Sequence, residues 1–393
     1  MEKPLFSRRT NWELSENPLS LALAGCKAKG LRVLDLTESN PTRAGMEYPA
    51  ELFLGAFNNK ESLIYAPEPK GLLKARQAVA GYFAARGVVL SPEHLTLTAS
   101  TSEAYSFLFR LLADPGDRVL LPAPSYPLFS YLADINDVEP AYYRLVFDGL
   151  QWRMDLDSIE KAAEAGKCKA VVLVSPNNPT GSFISAVELK RLNALCVKYE
   201  MAIISDEVFG DYLFEGAKDR YISLASNAEV LSFTLGGLSK ALALPQMKLG
   251  WIAANGPKDI LADALARLEV ITDTFLSVNT PVQNACVEWL PQAHVIQDQV
   301  MRRVTENLAF LNAKAAAGNG GAYVYPVDGG WYAVLRADLG MPEDEWAVRL
   351  LKEKGVYVHP GFYFDFETEG HIVLSLFTPP DIFRQGVSLL SVF

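Results

Sequence analysis

The chain has 393 residues, half of them hydrophobic, and carries a formal net charge of −10 at pH 7. This length and apolar content can bury a large core and predict two lobes. The acidic balance argues against a nucleic-acid-binding protein, because such proteins normally present a basic face.

The four cysteines are scattered along the chain without a short-spaced pair, at Cys26, Cys168, Cys196 and Cys286. We therefore expect neither disulfides nor a thiolate metal site, and this spacing fits a reducing cytoplasm. The first nine residues lack the apolar core of a secretory signal, and no apolar run approaches membrane-spanning length. The expectation is a cytoplasmic protein with no metal, no membrane partner and no nucleic-acid partner.

The central part of the chain alternates between strand-like and helix-like segments. Short apolar runs rich in β-branched residues predict strands buried between helix layers, at 94–98, 118–122, 169–174, 201–205, 230–233 and 249–253. Helical patterns lie between them, as at 101–113 and 186–199. This alternation predicts an α/β fold with a mostly parallel sheet. Ligands bind such sheets beyond the carboxyl ends of the strands.

After residue 255 the pattern changes to that of a smaller α+β lobe. Helices are predicted at 257–277, 282–315, 342–354 and 379–390, with a break near Thr280-Pro281, and strands at 330–335, 356–358 and 371–376. We expect the N-terminal arm to complete this lobe. The predicted domains are a large one over 45–280 and a small one formed by 1–44 together with 281–393.

The segment 235–251 holds the strongest chemical signal of the chain. Lys240 follows a pair of glycines and the apolar run 230–233, and Lys248 lies eight positions further on. An amine is required to condense with an aldehyde cofactor, and a second cation can neutralise the phosphate of that cofactor. This setting favours a covalent role for Lys240 over the ordinary role of a solvated loop lysine.

Two residues that follow predicted strands match the polar atoms of a pyridoxal ring. Asp206 ends the apolar run 201–205, where an unpaired charge is expensive to bury, and a carboxylate there keeps a pyridine nitrogen protonated. A helix cap is the alternative interpretation, and Glu207 is the weaker candidate because it faces the other way on an extended backbone. Asn178, in the turn 177–181, can donate its amide to the ring oxygen or serve the turn alone.

The phosphate and the ring face also have candidates. Ser100, Thr101 and Ser102 lie between a predicted strand and the helix that follows it. Backbone amides at a helix N-terminus bind phosphate together with hydroxyls, although serine and threonine are also ordinary N-caps there. Lys248 adds formal charge to the same phosphate. Tyr126 follows the strand 118–122 and is placed to stack on the cofactor ring, with a core tyrosine as the alternative.

Taken in chain order, these segments resemble the fold type I pyridoxal-phosphate enzymes, and among them the class I/II aminotransferases related to aspartate and alanine aminotransferase. The resemblance covers nearly the whole chain, from the loop 35–41 to the strand 371–377. It implies pyridoxal 5′-phosphate as cofactor, a large cofactor-binding domain with a mostly parallel, seven-stranded type of sheet, and a smaller α+β domain. It also implies a homodimer with shared active sites.

The resemblance also implies a role for each candidate residue. Lys240 is then the Schiff-base lysine and, later, the general base and acid of the proton transfer. The loop 35–41 resembles the substrate-side loop of the family, which makes Ser39 and Asn40 substrate-binding candidates. The implied cofactor-binding residues are Asp206 at the pyridine nitrogen, Asn178 at the ring oxygen, Tyr126 on the ring face, Ser100, Thr101, Ser102 and Lys248 at the phosphate, and Tyr65 at the phosphate of the neighbouring subunit.

Three positions near the cofactor depart from the family pattern. Phe209 stands where the family has a tyrosine that donates to the ring oxygen, so the pKa of the Schiff base should rise. Gly237 replaces a serine. Lys248 replaces an arginine and therefore lacks the bidentate fork of a guanidinium.

A fourth departure concerns the substrate. The family places an arginine in its late strand to clamp the α-carboxylate, and Val373 occupies that position here. Either another cation takes over, or the substrate is not an ordinary α-amino acid. Arg43, just beyond the substrate-side loop, is our candidate replacement, with Arg384 and His359 as further candidates.

The leading functional hypothesis is an aminotransferase that moves an amino group from an amino acid to a keto acid. A β-eliminating lyase of the C–S lyase type shares every cofactor contact and is the alternative. A non-catalytic pyridoxal-phosphate-binding regulator is a third interpretation, disfavoured because Lys240, Asp206 and Asn178 are all present. Trp331 and the aromatic run 362–364 either line an apolar side-chain site or pack in the core.

Overall fold

The computed structural model describes residues 5–217, 220–318 and 321–393. Residues 1–4, part of the predicted small domain and of the segment inspected for a secretory signal, lie outside the described residues. Within these ranges no helix is long and apolar enough to cross a membrane.

The helices and strands of the described chain alternate as the sequence predicts. The helices are α1 (Pro18–Ala28), α2 (Ala50–Gly55), α3 (Leu73–Ala84), α4 (Thr101–Leu112), α5 (Phe129–Ile135), α6 (Leu156–Glu164), α7 (Ala186–Tyr199), α8 (Leu238–Ala241), α9 (Lys258–Phe275), α10 (Thr280–Trp289), α11 (His294–Ala317), α12 (Glu343–Lys354) and α13 (Pro380–Leu389). The strands are β1 (Leu34–Asp35), β2 (Leu95–Thr98), β3 (Arg118–Ala123), β4 (Glu139–Phe147), β5 (Trp152–Met154), β6 (Cys168–Val174), β7 (Ala202–Asp206), β8 (Ser232–Gly237), β9 (Gly250–Asn255), β10 (Ala322–Val324), β11 (Tyr332–Ala337), β12 (Val356–Tyr357), β13 (His359–Pro360) and β14 (His371–Ser375).

A large sheet of eight strands forms the centre of the described chain, in the order β2-β9-β8-β7-β6-β3-β4-β5. The five strands β8, β7, β6, β3 and β4 run parallel to their neighbours, which confirms the mostly parallel sheet. The eighth strand beyond the expected seven-stranded type is accounted for by β5, a short strand that pairs with β4 as an antiparallel hairpin. At the other edge β9 is antiparallel to both β8 and β2.

The large sheet is buried on both faces because its central strands are mostly apolar. In β6, Ala170 and Val172 pack on one side with helices α4, α5 and α9. Val171 and Leu173 pack on the opposite side with α6 and α7. Successive side chains of a strand point to opposite faces, so an unbroken apolar run is what two helix layers require.

Helix α7 begins and ends where the sequence predicts. The Ser185 side chain accepts a hydrogen bond from the backbone N–H of Glu188, and the Glu188 carboxylate accepts one from the backbone N–H of Ser185. This reciprocal capping box satisfies two backbone donors at the helix start. Glu200 ends the helix in the left-handed conformation.

The predicted helix over 282–315 is wrong in one respect, because two helices occupy this stretch. Helix α10 ends at Trp289, and a 3₁₀ turn over Leu290–Gln292 separates it from α11. Pro291 lies in this turn. A proline has no backbone N–H to donate and its ring clashes with the preceding turn of a helix, so it interrupts the helix.

The remaining strands form two smaller sheets. One is antiparallel, in the order β10-β11-β14-β13, and the other joins β1 to β12 in parallel. The pairing of Leu34 with Val356 places the N-terminal segment against the C-terminal part of the chain. The described strands of the large sheet all lie between residues 95 and 255. The division into domains of 45–280 and of 1–44 with 281–393 stays a prediction.

Candidate active site

A cavity of about 250 Å³ lies at the carboxyl ends of β6, β7 and β8. The last residues of these strands, Val174, Asp206 and Gly237, all line it. This is the edge where parallel α/β sheets bind ligands. Of the residues predicted from sequence, the cavity brings together Lys240, Asp206, Asn178, Tyr126, Ser100, Thr101, Ser102 and Ser39.

Lys240 is carried by α8, a helix of four residues that directly follows β8. Its ammonium nitrogen lies 4.7 Å from the ring centroid of Trp331 and 5.5 Å from that of Phe209. Burial lowers the pKa of the Lys240 amine to about 8, and the nearby Asp206 carboxylate opposes this shift. A substantial fraction of the amine is therefore neutral, and nucleophilic, near neutral pH.

Three side chains from distant segments hold the carbonyl end of α8. Tyr212 donates its hydroxyl to the carbonyl of Lys240 at 2.5 Å, and Gln297 donates its amide to the carbonyl of Ala241 at 3.0 Å. Tyr48 donates its hydroxyl to the carbonyl of Ala243 at 2.5 Å. A helix this short cannot satisfy its own terminal carbonyls, so these bonds fix the position of the lysine.

Asp206 ends β7 with both carboxylate oxygens hydrogen-bonded. Its Oδ2 accepts the hydroxyl of Tyr105 at 3.1 Å, and its Oδ1 accepts the backbone N–H of Val208 at 3.2 Å. Burial raises the pKa of the Asp206 carboxyl to about 6 against these hydrogen bonds and the charge of Lys240. A buried carboxylate of this kind is stabilised by a cationic partner placed against it.

Glu207 faces away from the cavity, as the alternation of an extended backbone predicts. Its carboxylate accepts the hydroxyls of Ser205 at 3.0 Å and Ser223 at 2.7 Å, and the backbone N–H of Leu224 at 2.7 Å. These bonds tie the end of β7 to the loop before the 3₁₀ turn at Leu224–Ser226. Asp206 therefore faces the cavity, whereas Glu207 stabilises the neighbouring loop.

The two asparagines of the turn 177–181 have different roles: one closes the turn and the other lines the cavity. Asn177 accepts the hydroxyl of Thr180 at 3.0 Å and so closes the turn. Asn178 lines the cavity, and its buried Oδ1 has no hydrogen-bond partner within the described residues. A buried amide without a partner is costly, so this side chain is ready to bind a polar group in the cavity.

Helix α4 points its N-terminus into the cavity. Ser100 is its N-cap, since its hydroxyl accepts the N–H of Glu103 at 3.1 Å. Thr101 and Ser102 form the first turn, whose N–H groups and hydroxyls suit an anion. At Gly250 a Cβ atom would lie 3.1 Å from the hydroxyl oxygen of Thr98. Glycine is therefore needed where β9 passes close to the start of this helix.

Four predicted residues do not line the cavity. Lys248 is exposed, although the next two residues, 249 and 250, are lining residues. Tyr65 is 82% exposed. The Asn40 side chain accepts the N–H of Thr42 at 3.0 Å within its own turn, and Arg43 is exposed on that turn.

The aromatic residues proposed for a side-chain site are placed elsewhere. Trp331 is fully buried behind Lys240, where it stacks on Phe377 with 4.3 Å between ring centroids. Phe364 packs in an apolar cluster with Val373. The run 362–364 is absent from the described lining of the cavity. Core packing explains Trp331 and Phe364, whereas Phe362 is exposed.

Two tyrosines that line the cavity, Tyr105 and Tyr332, were not predicted as site residues. Tyr105 follows Thr101 by four positions on α4, a spacing that puts both on one face of the helix, and this signal could have identified it. Tyr332, in the segment read only as a strand, lines the cavity from β11. No local pattern singles it out, because its approach to the cavity depends on the pairing of the small sheet.

The fold and the cavity define an α/β protein in which a buried lysine amine, a carboxylate and a helix N-terminus face one cavity at the carboxyl ends of parallel strands. The chain belongs to the class I and II aminotransferases, because the model of that family, "Aminotransferase class I and II", matches residues 33–382.

Similar proteins carry related names. An alanine aminotransferase of Mycobacterium bovis is 30% identical over 91% of this chain and 84% of its own length. A glutamate–pyruvate aminotransferase of Haemophilus influenzae is 30% identical over 65% of this chain, which spans only 63% of that relative. An alanine aminotransferase structure from Pyrococcus furiosus superposes with a TM-score of 0.87 at 25% identity, covering 98% of both chains. A single mutant of Thermus thermophilus aspartate aminotransferase shares the fold, with a TM-score of 0.83 over 99% of both chains at 23% identity.

The protein is therefore an aminotransferase. The names of its relatives favour this function over the β-eliminating lyase of the same fold.

Proposed function

We propose that the cavity binds pyridoxal 5′-phosphate and that Lys240 holds it covalently. The residues at the cavity match the parts of this cofactor one by one. The N-terminus of α4 with Ser100, Thr101 and Ser102 suits the phosphate, with Lys248 just outside. Asn178 lines the cavity, where its side-chain N–H can donate to the ring oxygen, and the Asp206 carboxylate suits a ring nitrogen. Tyr126, half exposed and lining the cavity, supplies an aromatic face.

Pyridoxal phosphate, when bound, supplies an electron sink for the carbon that carries the amino group of a substrate. The residues of this chain then manage the protons. The Lys240 amine accepts the proton from that carbon and later returns it, which a pKa lowered to about 8 permits near neutral pH. Asp206 keeps a facing ring nitrogen protonated because an ion pair stabilises its buried carboxylate.

A single observation carries the proposal: the Lys240 amine and the Asp206 carboxylate face one cavity from the ends of adjacent strands. The test is the absorbance spectrum of the purified protein with pyridoxal phosphate. We expect a visible band that is absent in Lys240→Ala and retained in Lys258→Ala, a matched exposed lysine on α9. A band of equal strength in Lys240→Ala would contradict the covalent role.

We further propose that the amino group passes from an amino acid to a keto acid, as the names of the alanine and glutamate–pyruvate aminotransferases state for those relatives. Adding amino acids without an acceptor should convert the visible band once and release one equivalent of keto acid. Continuous release of pyruvate and ammonia, with the band restored, would instead indicate the lyase.

We propose a homodimer in which Tyr65 reaches the phosphate of the neighbouring subunit. Tyr65 is 82% exposed and follows Leu63 and Ile64, which are also exposed. Three consecutive exposed apolar residues favour a surface that a second copy covers. The mass of the protein in solution, and loss of cofactor affinity in Tyr65→Phe, test this.

The four free cysteines support the cytoplasm as the compartment.

A further inference from the structure

The part of the cavity where a substrate would enter has no second cation. Among its described lining residues Lys240 is the only lysine, and there is no arginine or histidine. Val373, which the sequence places at the carboxylate-binding position, is fully buried in an apolar cluster with Val334 and Phe364. Nothing at this position can pair with a carboxylate.

None of the three residues considered as replacements for the carboxylate-binding arginine supplies a free cation to the described lining of the cavity. Arg43 is exposed, outside the described lining. Arg384 forms an ion pair with Glu306 on the surface, between α13 and α11. Burial lowers the pKa of His359 to about 4, so its ring is neutral at pH 7.

Two hydroxyls occupy this region of the cavity instead. Tyr332 pairs with Ser375 across β11 and β14, two residues along from the pair of Val334 with Val373. Residues at this spacing lie on one face of a sheet, so Tyr332 lies beside Val373. Ser39 also lines the cavity, and it lies close enough to Tyr332 to oppose the rise that burial causes in the pKa of the Tyr332 hydroxyl.

The sheet fixes this pair of hydroxyls in place. The Ser375 backbone N–H donates to the carbonyl of Leu36 at 2.7 Å, and its hydroxyl donates to the carbonyl of Glu38 at 2.8 Å. These bonds hold the loop that carries Ser39 against the strand pair that carries Tyr332. Burial raises the pKa of the Tyr332 hydroxyl, so it stays a neutral donor throughout the physiological range.

We infer that Tyr332 and Ser39 bind the group next to the reacting amine through neutral hydrogen bonds, so that amines without a carboxylate are donors alongside amino acids. The chemical classes are 2-amino alcohols and amino-acid carboxamides. In each case the C–N bond of the donor breaks as its carbon is oxidised to a ketone, and the keto-acid acceptor gains the nitrogen and is reduced to an amino acid. The overall transfer needs no further oxidant. This inference rests on the proposed function.

The physical reason is the cost of an unpaired charge. A site with a buried guanidinium rejects a neutral analogue strongly, because the cation is left without its partner. Sites built around such partners discriminate by roughly 10⁴-fold or more. A pair of hydroxyls accepts a carboxylate, an amide or an alcohol with similar bonds, and so discriminates weakly.

The test compares matched triplets of amino acid, carboxamide and 2-amino alcohol with the side chains of alanine, leucine and phenylalanine. Conversion of the visible cofactor band is followed in the absence of an acceptor, after cofactor binding has been established for the same preparation. We expect the amino alcohol and the carboxamide to react with kcat/KM within about tenfold of the matching amino acid. A preference for the amino acid of 10³-fold or more would overturn the inference and leave the aminotransferase proposal standing. Retention of the band with every member of every triplet would contradict both.

Substitutions test whether the hydroxyl pair binds the donor. Tyr332→Phe should lower kcat/KM about tenfold for the acid and the alcohol alike, since one hydrogen bond to each is lost. Tyr323→Phe is the matched control, because Tyr323 lies on β10 of the same sheet, outside the cavity. In Arg43→Gln, a loss confined to the amino acids would show that Arg43 binds the carboxylate, and would overturn the inference.

Discussion

The hydroxyl of Tyr212 donates a 2.5 Å hydrogen bond to the backbone carbonyl of Lys240. Tyr212 is fully buried and its ring packs 5.2 Å from that of Trp331, the residue under the Lys240 ammonium. One tyrosine therefore contacts both the backbone of the lysine and the aromatic floor beneath its amine. This arrangement restricts the amine to one region of the cavity without contacting the substrate.

Tyr212→Phe tests this positioning. The variant loses one hydrogen bond, so the free energy of unfolding should fall by about 1 kcal/mol. We expect kcat to fall about three- to tenfold with KM little changed, because the amine moves relative to the carbon that it deprotonates. Tyr143→Phe is the control, since it removes a similar buried bond, 2.8 Å to the carbonyl of Val172, away from the lysine. Equal losses of kcat in the two variants would exclude a positioning role.

The pKa of Lys240 predicts how fast the cofactor-free protein captures an aldehyde. With a pKa of about 8, roughly a quarter of the Lys240 amine is neutral at pH 7.5, against about one in a thousand for an ordinary lysine. The rate of appearance of the visible band with pyridoxal phosphate should rise through pH 8 and level off above pH 9. A rate that still climbs tenfold per pH unit at pH 10 would show an unshifted amine.

Asp206 should destabilise the cofactor-free protein above pH 6. Its folded-state pKa of about 6 lies above the ordinary 3.8, so the folded state loses stability relative to the unfolded chain as the pH rises from 3.8 to 6, and the loss stays constant above pH 6. At pH 8 this penalty is about 3 kcal/mol, and at pH 4 most of it is absent. Asp206→Asn should therefore raise the thermal midpoint of the cofactor-free protein at pH 8 and leave it nearly unchanged at pH 4. Asp263→Asn, at an exposed aspartate, should change neither. A loss of stability at pH 8 in Asp206→Asn would contradict the raised pKa.

Gly181 should tolerate no side chain. It closes the turn that presents Asn178, with φ +71°, and a Cβ there would lie 2.6 Å from the carbonyl oxygen of Gly329. Left-handed backbone costs an alanine about 1–2 kcal/mol, and the overlap with backbone adds about 1–3 kcal/mol. Gly116→Ala shares the positive φ, at +83°, but meets open space. Urea unfolding should show a clearly larger loss for Gly181→Ala, and equal losses would contradict the steric argument.

The amino-acid sequence alone located six of the eight strands of the large sheet and missed β4 and β5. Unbroken apolar runs identify buried strands because both faces of the large sheet are covered, and a buried polar residue at the end of such a run is expensive unless it has a task. Asp206 was identified in this way, Lys240 from the glycine pair and the strand before it, and Asn178 from its turn; all three line the cavity.

The tertiary structure alone decided which of these residues meet. The sequence predicts both Lys240 and Lys248 at the cofactor, yet only Lys240 lines the cavity while Lys248 is exposed. Ser39 and Tyr332 come from opposite parts of the chain and are joined because Ser375 ties the first loop to the small sheet. Local patterns report burial and backbone conformation, which depend on neighbouring residues in sequence. Contacts between distant side chains depend on sheet pairing and register, and a single chain sequence does not encode these in any short window.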